Sequence, residues 1–203
     1  MSEITRAVFL DRDGVINRDS PDFIKSWDEV DFLPGSRRAI RELTAAGYAV
    51  IVVTNQSGVG RGLLTLETLA EIHRRMRAAV RAAGGDIRDI RFCPHRPGDG
   101  CDCRKPLPGL IVSAARDHGI DPRQAWMVGD SVRDIRCGQT AGCRTVLVRT
   151  GNGRDAERTL AKEGAPPAHV AESLPEAVEY IILSAECCQR PPRFPKNLET
   201  SEV

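Results

Sequence analysis

The chain has 203 residues, a formal net charge of +1 and 28% charged residues, enough for one substantial domain with small insertions. Its positive residues are dispersed, which excludes the basic stripe of a nucleic-acid binder. No apolar run approaches the roughly 20 residues that span a bilayer, and Met1–Arg6 carries no leader-peptide core, so the expected setting is the cytoplasm.

The first strand expected is Ala7–Leu10, and it runs straight into Asp11-Arg12-Asp13-Gly14. Two carboxylates at i and i+2 beyond a strand end, followed by a glycine turn, face one site. Their mutual repulsion calls for a divalent cation or a shared proton. The mixed stretch between Asp13 and Ser36 is too short for a folded cap and suits a small flap. A helix is expected over Ser36–Ala46 with Gly47 as its C′ residue. The non-alternating run Tyr48–Val53 reads as a strand buried on both faces. It ends in Thr54-Asn55-Gln56-Ser57-Gly58, whose hydroxyls, amides and free N–H groups suit a phosphate oxygen.

A helix over Leu66–Ala83 follows, with Thr65 as N-cap and an apolar stripe near the 3.6 period through Leu66, Leu69, Ala70, Ile72, Met76, Ala79 and Val80. The arginines between Arg74 and Arg91 read as its solvated face. Strand Ile87–Phe92 leads into Cys93-Pro94-His95, and Cys101-Asp102-Cys103 comes shortly after. Seven cysteines in a reducing compartment do not suggest a disulfide framework. Cys93, His95, Cys101 and Cys103 instead supply the donor set of a closed structural zinc site. Such a metal would order a loop too short and polar to order itself. That loop ends at Arg104-Lys105-Pro106, a basic pair suited to anionic oxygens.

Helix Gly109–His118 precedes strand Ala125–Val128 and the sequence Gly129-Asp130-Ser131-Val132-Arg133-Asp134. Asp130 is a natural metal ligand at a strand end. Asp134, one turn along the next helix (Val132–Ala141), would ligate through water or hold Lys105. Strands Arg144–Val148 and His169–Ala171 and a helix over Pro175–Leu183 complete the pattern. One domain is expected over 1–184, with a flexible tail over 185–203 whose Pro- and charge-rich part begins at Arg190. Alternating strands and helices argue for an α/β fold, a doubly wound and mainly parallel sheet.

The ordered set Asp11/Asp13, Thr54, Lys105 and Gly129–Asp134 resembles the haloacid dehalogenase-like phosphohydrolases. The resemblance implies a capless Rossmann-like fold with a flap and a zinc loop. It implies Asp11 as nucleophile forming an aspartyl phosphate, and Asp13 as general acid and then base. Mg²⁺ would be held by Asp11, the backbone carbonyl of Asp13 and Asp130, with Thr54 and Lys105 on the equatorial phosphate oxygens.

The zinc loop placed before Arg104-Lys105 resembles the heptose-bisphosphate phosphatase family, whose nearest relative is histidinol-phosphatase. That likeness implies a small-molecule sugar phosphate as substrate, contacted by Arg18, Asp19, Ser20, Asp22, Thr54, Asn55, Gln56, Ser57, Arg104 and Lys105. The expected reaction is removal of the C7 phosphate of a heptose bisphosphate by a monomer, with no nucleic-acid or membrane partner. Histidinol phosphate is the alternative substrate, and a catalytically silent zinc-loop binding module is the reading from another class. Ser131 departs from family members that carry a lysine there.

Overall fold

The structure, a computed structural model, describes residues 6–189. Its strands are β1 (Ala7–Leu10), β2 (Ala49–Asn55), β3 (Asp89–Cys93), β4 (Trp126–Gly129), β5 (Arg144–Val148) and β6 (His169–Ala171). They form one sheet in the order β3-β2-β1-β4-β5-β6, with every neighbouring pair parallel. The helices are α1 (Ser36–Ala45), α2 (Ser57–Gly60), α3 (Leu66–Ala82), α4 (Gly109–His118), α5 (Val132–Ala141), α6 (Gly153–Lys162) and α7 (Leu174–Gln189).

Parallel neighbours require crossovers, and the helices in those crossovers cover both faces of the sheet. Successive strand residues therefore feed opposite cores. Val8, Leu10, Val50, Val52 and Val128 pack with α1, α3 and α7. Ala7, Phe9, Ile51, Val53 and Met127 pack with α4 and with Cys137 of α5, while α5 and α6 close over Leu147. Double burial explains why these strands lack polar alternation in the sequence.

β1 lies between β2 and β4, so the winding reverses around it. The crevice outside the carboxyl ends of strands at such a reversal is where open α/β sheets bind ligands. Asp11, Thr54 and Asp130 all fall there. The flap over 14–35 contains one 3-10 turn, Trp27–Glu29. It is anchored by Ile24, buried with Leu64, Leu69 and Ile72, and by the Trp27 ring edge-on to Phe32 at 6.2 Å.

Four differences from the sequence reading have local causes. β2 starts after Tyr48 and continues to Asn55, because Thr54 and Asn55 pair with Phe92 and Cys93 of β3. α3 buries Leu69, Ile72, His73, Met76 and Val80, whereas Leu66, in the expected stripe, is 51% exposed at the first turn. α6 escapes a hydrophobic-period search because only Gly153, Ala156 and Leu160 of its residues are buried. α7 runs to Gln189, so helix replaces the first residues of the expected tail. The rest of that tail, 190–203, and the N-terminal residues 1–5 lie outside the described residues. No helix among the described residues is long and apolar enough to cross a membrane.

Ile51 is fully buried in the central β2. Ile51→Ala is expected to lower stability by about 2–5 kcal/mol, read as a fall in the urea midpoint with an unchanged m-value.

Candidate active site

A cavity of about 90 Å³ opens at the winding reversal, lined by Asp11, Asp13, Asp19, Thr54, Asn55, Lys105, Asp130, Ser131, Arg133, Asp134 and Asn152. Lys105 organises it. Its ammonium is 2% exposed, 2.9 Å from Asp11 Oδ1 and 2.6 Å from Asp134 Oδ1. It also donates to the Val53 carbonyl at 2.8 Å. Burial opposes the charge, but the two carboxylates hold the Lys105 pKa above its ordinary value. The Lys105 backbone is fixed by a reciprocal pair with Asn55: the Lys105 N–H donates to Asn55 Oδ1, and Asn55 Nδ2 donates to the Lys105 carbonyl, both at 3.1 Å.

Asp134 supports this lysine, one of the two roles its helical position allowed. Its other oxygen accepts from the Ser131 N–H at 3.0 Å and the Ser131 hydroxyl at 2.6 Å, closing a capping box at the start of α5. Ser131, where a lysine was the family alternative, is thus the N-cap of α5. Asp130 plays no capping part. Its Oδ2 accepts from the Asn152 N–H at 2.8 Å.

Asp130 is pinched between two glycines. A Cβ on Gly14, at φ +82°, would lie 2.2 Å from Asp130 Oδ2, and one on Gly151, at φ +56°, would lie 2.1 Å from the same atom. Only hydrogen at both positions permits this approach.

Asp11 accepts from the Arg12 N–H on Oδ1 at 2.7 Å. Asp13 is held differently. Arg12 donates to it as a fork, Nε to Oδ1 at 2.9 Å and Nη2 to Oδ2 at 2.8 Å. Asn17 adds 2.8 Å to Oδ1 and Gln56 adds 2.9 Å to Oδ2. Burial pushes the Asp13 pKa up, but Arg12 and these donors outweigh it and leave the carboxyl below its ordinary range.

Asp11 and Asp130 move the other way. Burial, with Asp134 and Asp13 adding repulsion against the Lys105 attraction, raises Asp11 to about 6. Burial, Asp134 and Asp11 raise Asp130 to about 8. Five carboxylates, Asp11, Asp13, Asp19, Asp130 and Asp134, thus line the cavity with Lys105 and Arg133, and Arg12 pairs with Asp13 from outside the lining. Oxygens of Asp11, Asp130 and Asp134 lie within 4.8 Å of one another, a hard-donor set that suits a divalent cation. Both Asp134 oxygens are already engaged, so Asp11 and Asp130 are the carboxylates left for the ion. The Asp13 carboxylate stands outside this cluster, in keeping with a ligand role through its carbonyl alone.

The zinc-loop residues also converge. Cys93, His95, Cys101 and Cys103 offer donor atoms within 4.8 Å of one another. Cys93 Sγ is 3.7 Å from Cys101 Sγ and 3.6 Å from His95 Nδ1. With Zn–S bonds of about 2.3 Å, a tetrahedron has edges of about 3.8 Å. Burial, then the neighbouring sulfurs, push the Cys103 thiol up to about 12, so a cation is what would hold it as thiolate. The cluster could hold a zinc ion.

The expected substrate contacts divide into groups. Asp19, Thr54, Asn55 and Lys105 line the cavity. Arg18 lines an adjoining cleft of about 440 Å³ with Asp19 and Asn152, and is paired with Asp31 at 2.7 Å. Arg104 lies in a groove of about 480 Å³ beside the zinc loop with Arg96 and Arg133, and donates to the His95 carbonyl at 3.0 Å. Four others line neither cavity nor clefts. Ser20 and Asp22 form a local turn, Gln56 is consumed by Asp13 and Thr54, and Ser57 is buried at the start of α2. Asn17, Arg133 and Asn152 were missed. Arg133 and Asn152 each sit four residues past a strand end, where a search of every strand end would have found them.

Comparison with known proteins agrees with this geometry. The HAD-hydrolase-like family matches residues 102–177. D-glycero-beta-D-manno-heptose-1,7-bisphosphate 7-phosphatase of Bordetella bronchiseptica is 46% identical over 181 residues, 89% of this chain and 99% of that protein. The enzyme of the same name from Neisseria meningitidis is 44% identical over 180 residues, 87% of this chain and 95% of the other. The crystal structure of the B. bronchiseptica D,D-heptose 1,7-bisphosphate phosphatase with magnesium and phosphate superposes with a TM-score of 0.83 at 45% identity, covering 89% of this chain and 99% of that one.

Two outcomes follow. Protons stabilise Asp11 and Asp130 in the folded protein at pH values where the unfolded chain, near 3.8, has lost them. Metal-free protein therefore loses stability as pH rises through this range, and Mg²⁺ replaces the lost protons. The rise in Tm on adding Mg²⁺ should grow between about pH 5 and about pH 8; a flat increment would contradict the assignment. Elemental analysis of protein never exposed to chelator should find about one zinc per chain, and its removal should lower Tm.

Proposed function

The chain belongs to the D-glycero-β-D-manno-heptose-1,7-bisphosphate 7-phosphatase family, and we propose that it hydrolyses the C7 phosphate of D-glycero-β-D-manno-heptose 1,7-bisphosphate. It is a Mg²⁺-dependent phosphoric monoester hydrolase. The observation that carries the reading is the Asp11 carboxylate at the end of β1, ion-paired through Oδ1 to buried Lys105. No hydrogen bond among the described residues engages Asp11 Oδ2, the oxygen available to phosphorus.

In this reading Asp11 attacks phosphorus as the bond from phosphorus to the C7 oxygen breaks. Asp13 gives its proton to the departing alkoxide. Asp13 then takes a proton from water, whose oxygen displaces phosphate from Asp11, which restores the Asp11 carboxylate and the Asp13 acid. Lys105 and Thr54 face the phosphoryl oxygens. Asp11, the Asp13 carbonyl and Asp130 would hold Mg²⁺, whose charge would offset the repulsion between nucleophile and phosphate. The resting site favours ionised Asp13; a phosphate dianion placed against Asp11 adds negative charge beside it and shifts Asp13 toward the acid.

The cavity of about 90 Å³ suits the transferred group alone, so the sugar lies in the adjoining clefts. Arg96, Arg104 and Arg133 line the groove beside the zinc loop. Three guanidinium groups match a second phosphate and oppose the cationic tail of histidinol phosphate. A small sugar phosphate also needs neither nucleic acid nor membrane.

Phosphate release from the β and α heptose bisphosphates and from histidinol phosphate tests the proposal. The β bisphosphate should show the highest kcat/KM, and Asp11→Asn should remove activity by at least about 10³-fold with the fold intact. Faster histidinol phosphate turnover would reverse the assignment.

A further inference from the structure

One buried titratable side chain beside the cavity takes no part in the scheme above. His73, on α3, is 7% exposed, and its Nε2 lies 3.4 Å from Arg12 Nη1. Its ring also tilts against Phe92 at 5.7 Å. Arg12 itself is 1% exposed. Its Nε and Nη2 are committed to Asp13 as a two-pronged fork, which leaves Nη1 pointing away from the cavity. A buried guanidinium N–H without an acceptor is costly, so something must receive it.

We propose that His73 is a positioning residue: its neutral ring accepts from Arg12 Nη1 and so keeps the other edge of the guanidinium locked on the Asp13 carboxylate. Charge explains the residue type. A carboxylate at 73 would form its own forked pair with Arg12 and compete with Asp13 for it. An aliphatic side chain would leave Nη1 unpaired and the Arg12 rotamer free to change. A histidine satisfies the donor without competing. Burial, then the Arg12 charge, push the His73 pKa down to about 3, so the ring stays neutral at working pH. Because Nε2 accepts, the ring proton sits on Nδ1.

The inference rests on the reading of Asp13 as proton donor to the leaving group, and it predicts a pattern that a merely structural histidine would not give. An alkyl phosphate expels a strongly basic alkoxide and depends on that proton; 4-nitrophenyl phosphate expels a stabilised phenolate and does not. The quantity to compare is kcat/KM, which reports only the steps through departure of the leaving group.

His73→Glu and His73→Gln are near-isosteric and differ in charge, so they separate fold from function. His73→Glu should lower kcat/KM on the heptose bisphosphate by about 10-fold or more while changing 4-nitrophenyl phosphate by no more than about 3-fold. Most of the loss should fall in kcat, and His73→Gln, which keeps a neutral acceptor, should restore most of it. His73→Leu should resemble His73→Glu. Equal losses on the two substrates, or a His73→Gln variant as impaired as His73→Glu, would overturn the proposal. The comparison uses ratios to wild type, so any alkyl phosphate monoester that wild type accepts serves equally. A wrong sugar assignment shows instead as poor wild-type turnover of the heptose bisphosphate.

Discussion

Lys105 carries its charge at 2% exposure between Asp11 and Asp134, and the rest of the site is arranged around that ammonium. A buried cation is tolerated only when its donors are filled and opposite charges stand close. Asp11, Asp134 and the Val53 carbonyl meet that demand from β1, α5 and β2. The same demand fixes the chemistry. Asp11 cannot rotate away from Lys105 without taking one of the two counter-charges from a buried ammonium, so one orientation of the carboxylate at the end of β1 is favoured. Asp134 is immobilised in turn by capping α5 through Ser131. Helix formation, lysine burial and nucleophile placement are therefore one cooperative arrangement.

Two carboxylates two residues apart end in opposite electrostatic states for the same reason. Asp11 shares its cation with Asp134 and sits near Asp130, and burial raises its pKa. Asp13 has Arg12 almost to itself, together with Asn17 and Gln56, and its pKa falls despite equal burial. Pairs of acids whose environments drive their pKa values apart are how one site separates roles. Asp13 and the cation-holding carboxylates do not compete here, because Arg12, Asn17 and Gln56 hold the Asp13 carboxylate outside the cluster of Asp11, Asp130 and Asp134.

The strand-end acids, Thr54 and Lys105 were legible through their order along the chain, since each alone is ordinary turn or loop content, and the Cys/His cluster was legible from its donor types and spacing. Sheet class was legible from double-buried strands such as Val50–Val53. The Arg12–His73 contact was not. Neither Arg12 nor His73 belongs to a spacing or motif that singles it out in the sequence. The partners are 61 residues apart, and only the packing of α3 against the β1–flap junction brings them together. The overreach at Ser20, Asp22, Gln56 and Ser57 has a related origin. Short polar side chains near a site are often spent on the local backbone, and Gln56 is spent on Asp13 and Thr54.

The zinc loop gains its relevance from how it is joined to the sheet. Cys93 is both the last residue of β3 and the first donor of the cluster. Its carbonyl accepts from the Gln56 N–H at 2.7 Å, and the Pro94 carbonyl accepts from the Gly60 N–H at 3.0 Å. The far end of the loop delivers Lys105, whose backbone is clamped to Asn55. Both ends therefore meet the β2–α2 turn, the segment that also supplies Thr54 and the Gln56 donor to Asp13. Ordering a loop of this length costs about 1–2 kcal/mol per residue in backbone entropy, and its polar, glycine-containing sequence has little apolar surface to offset that. Metal coordination is the available source of order. A zinc bound there would be felt at two places, the Lys105 ammonium beside Asp11 and the Gln56 donor to Asp13, without a zinc ligand lining the cavity.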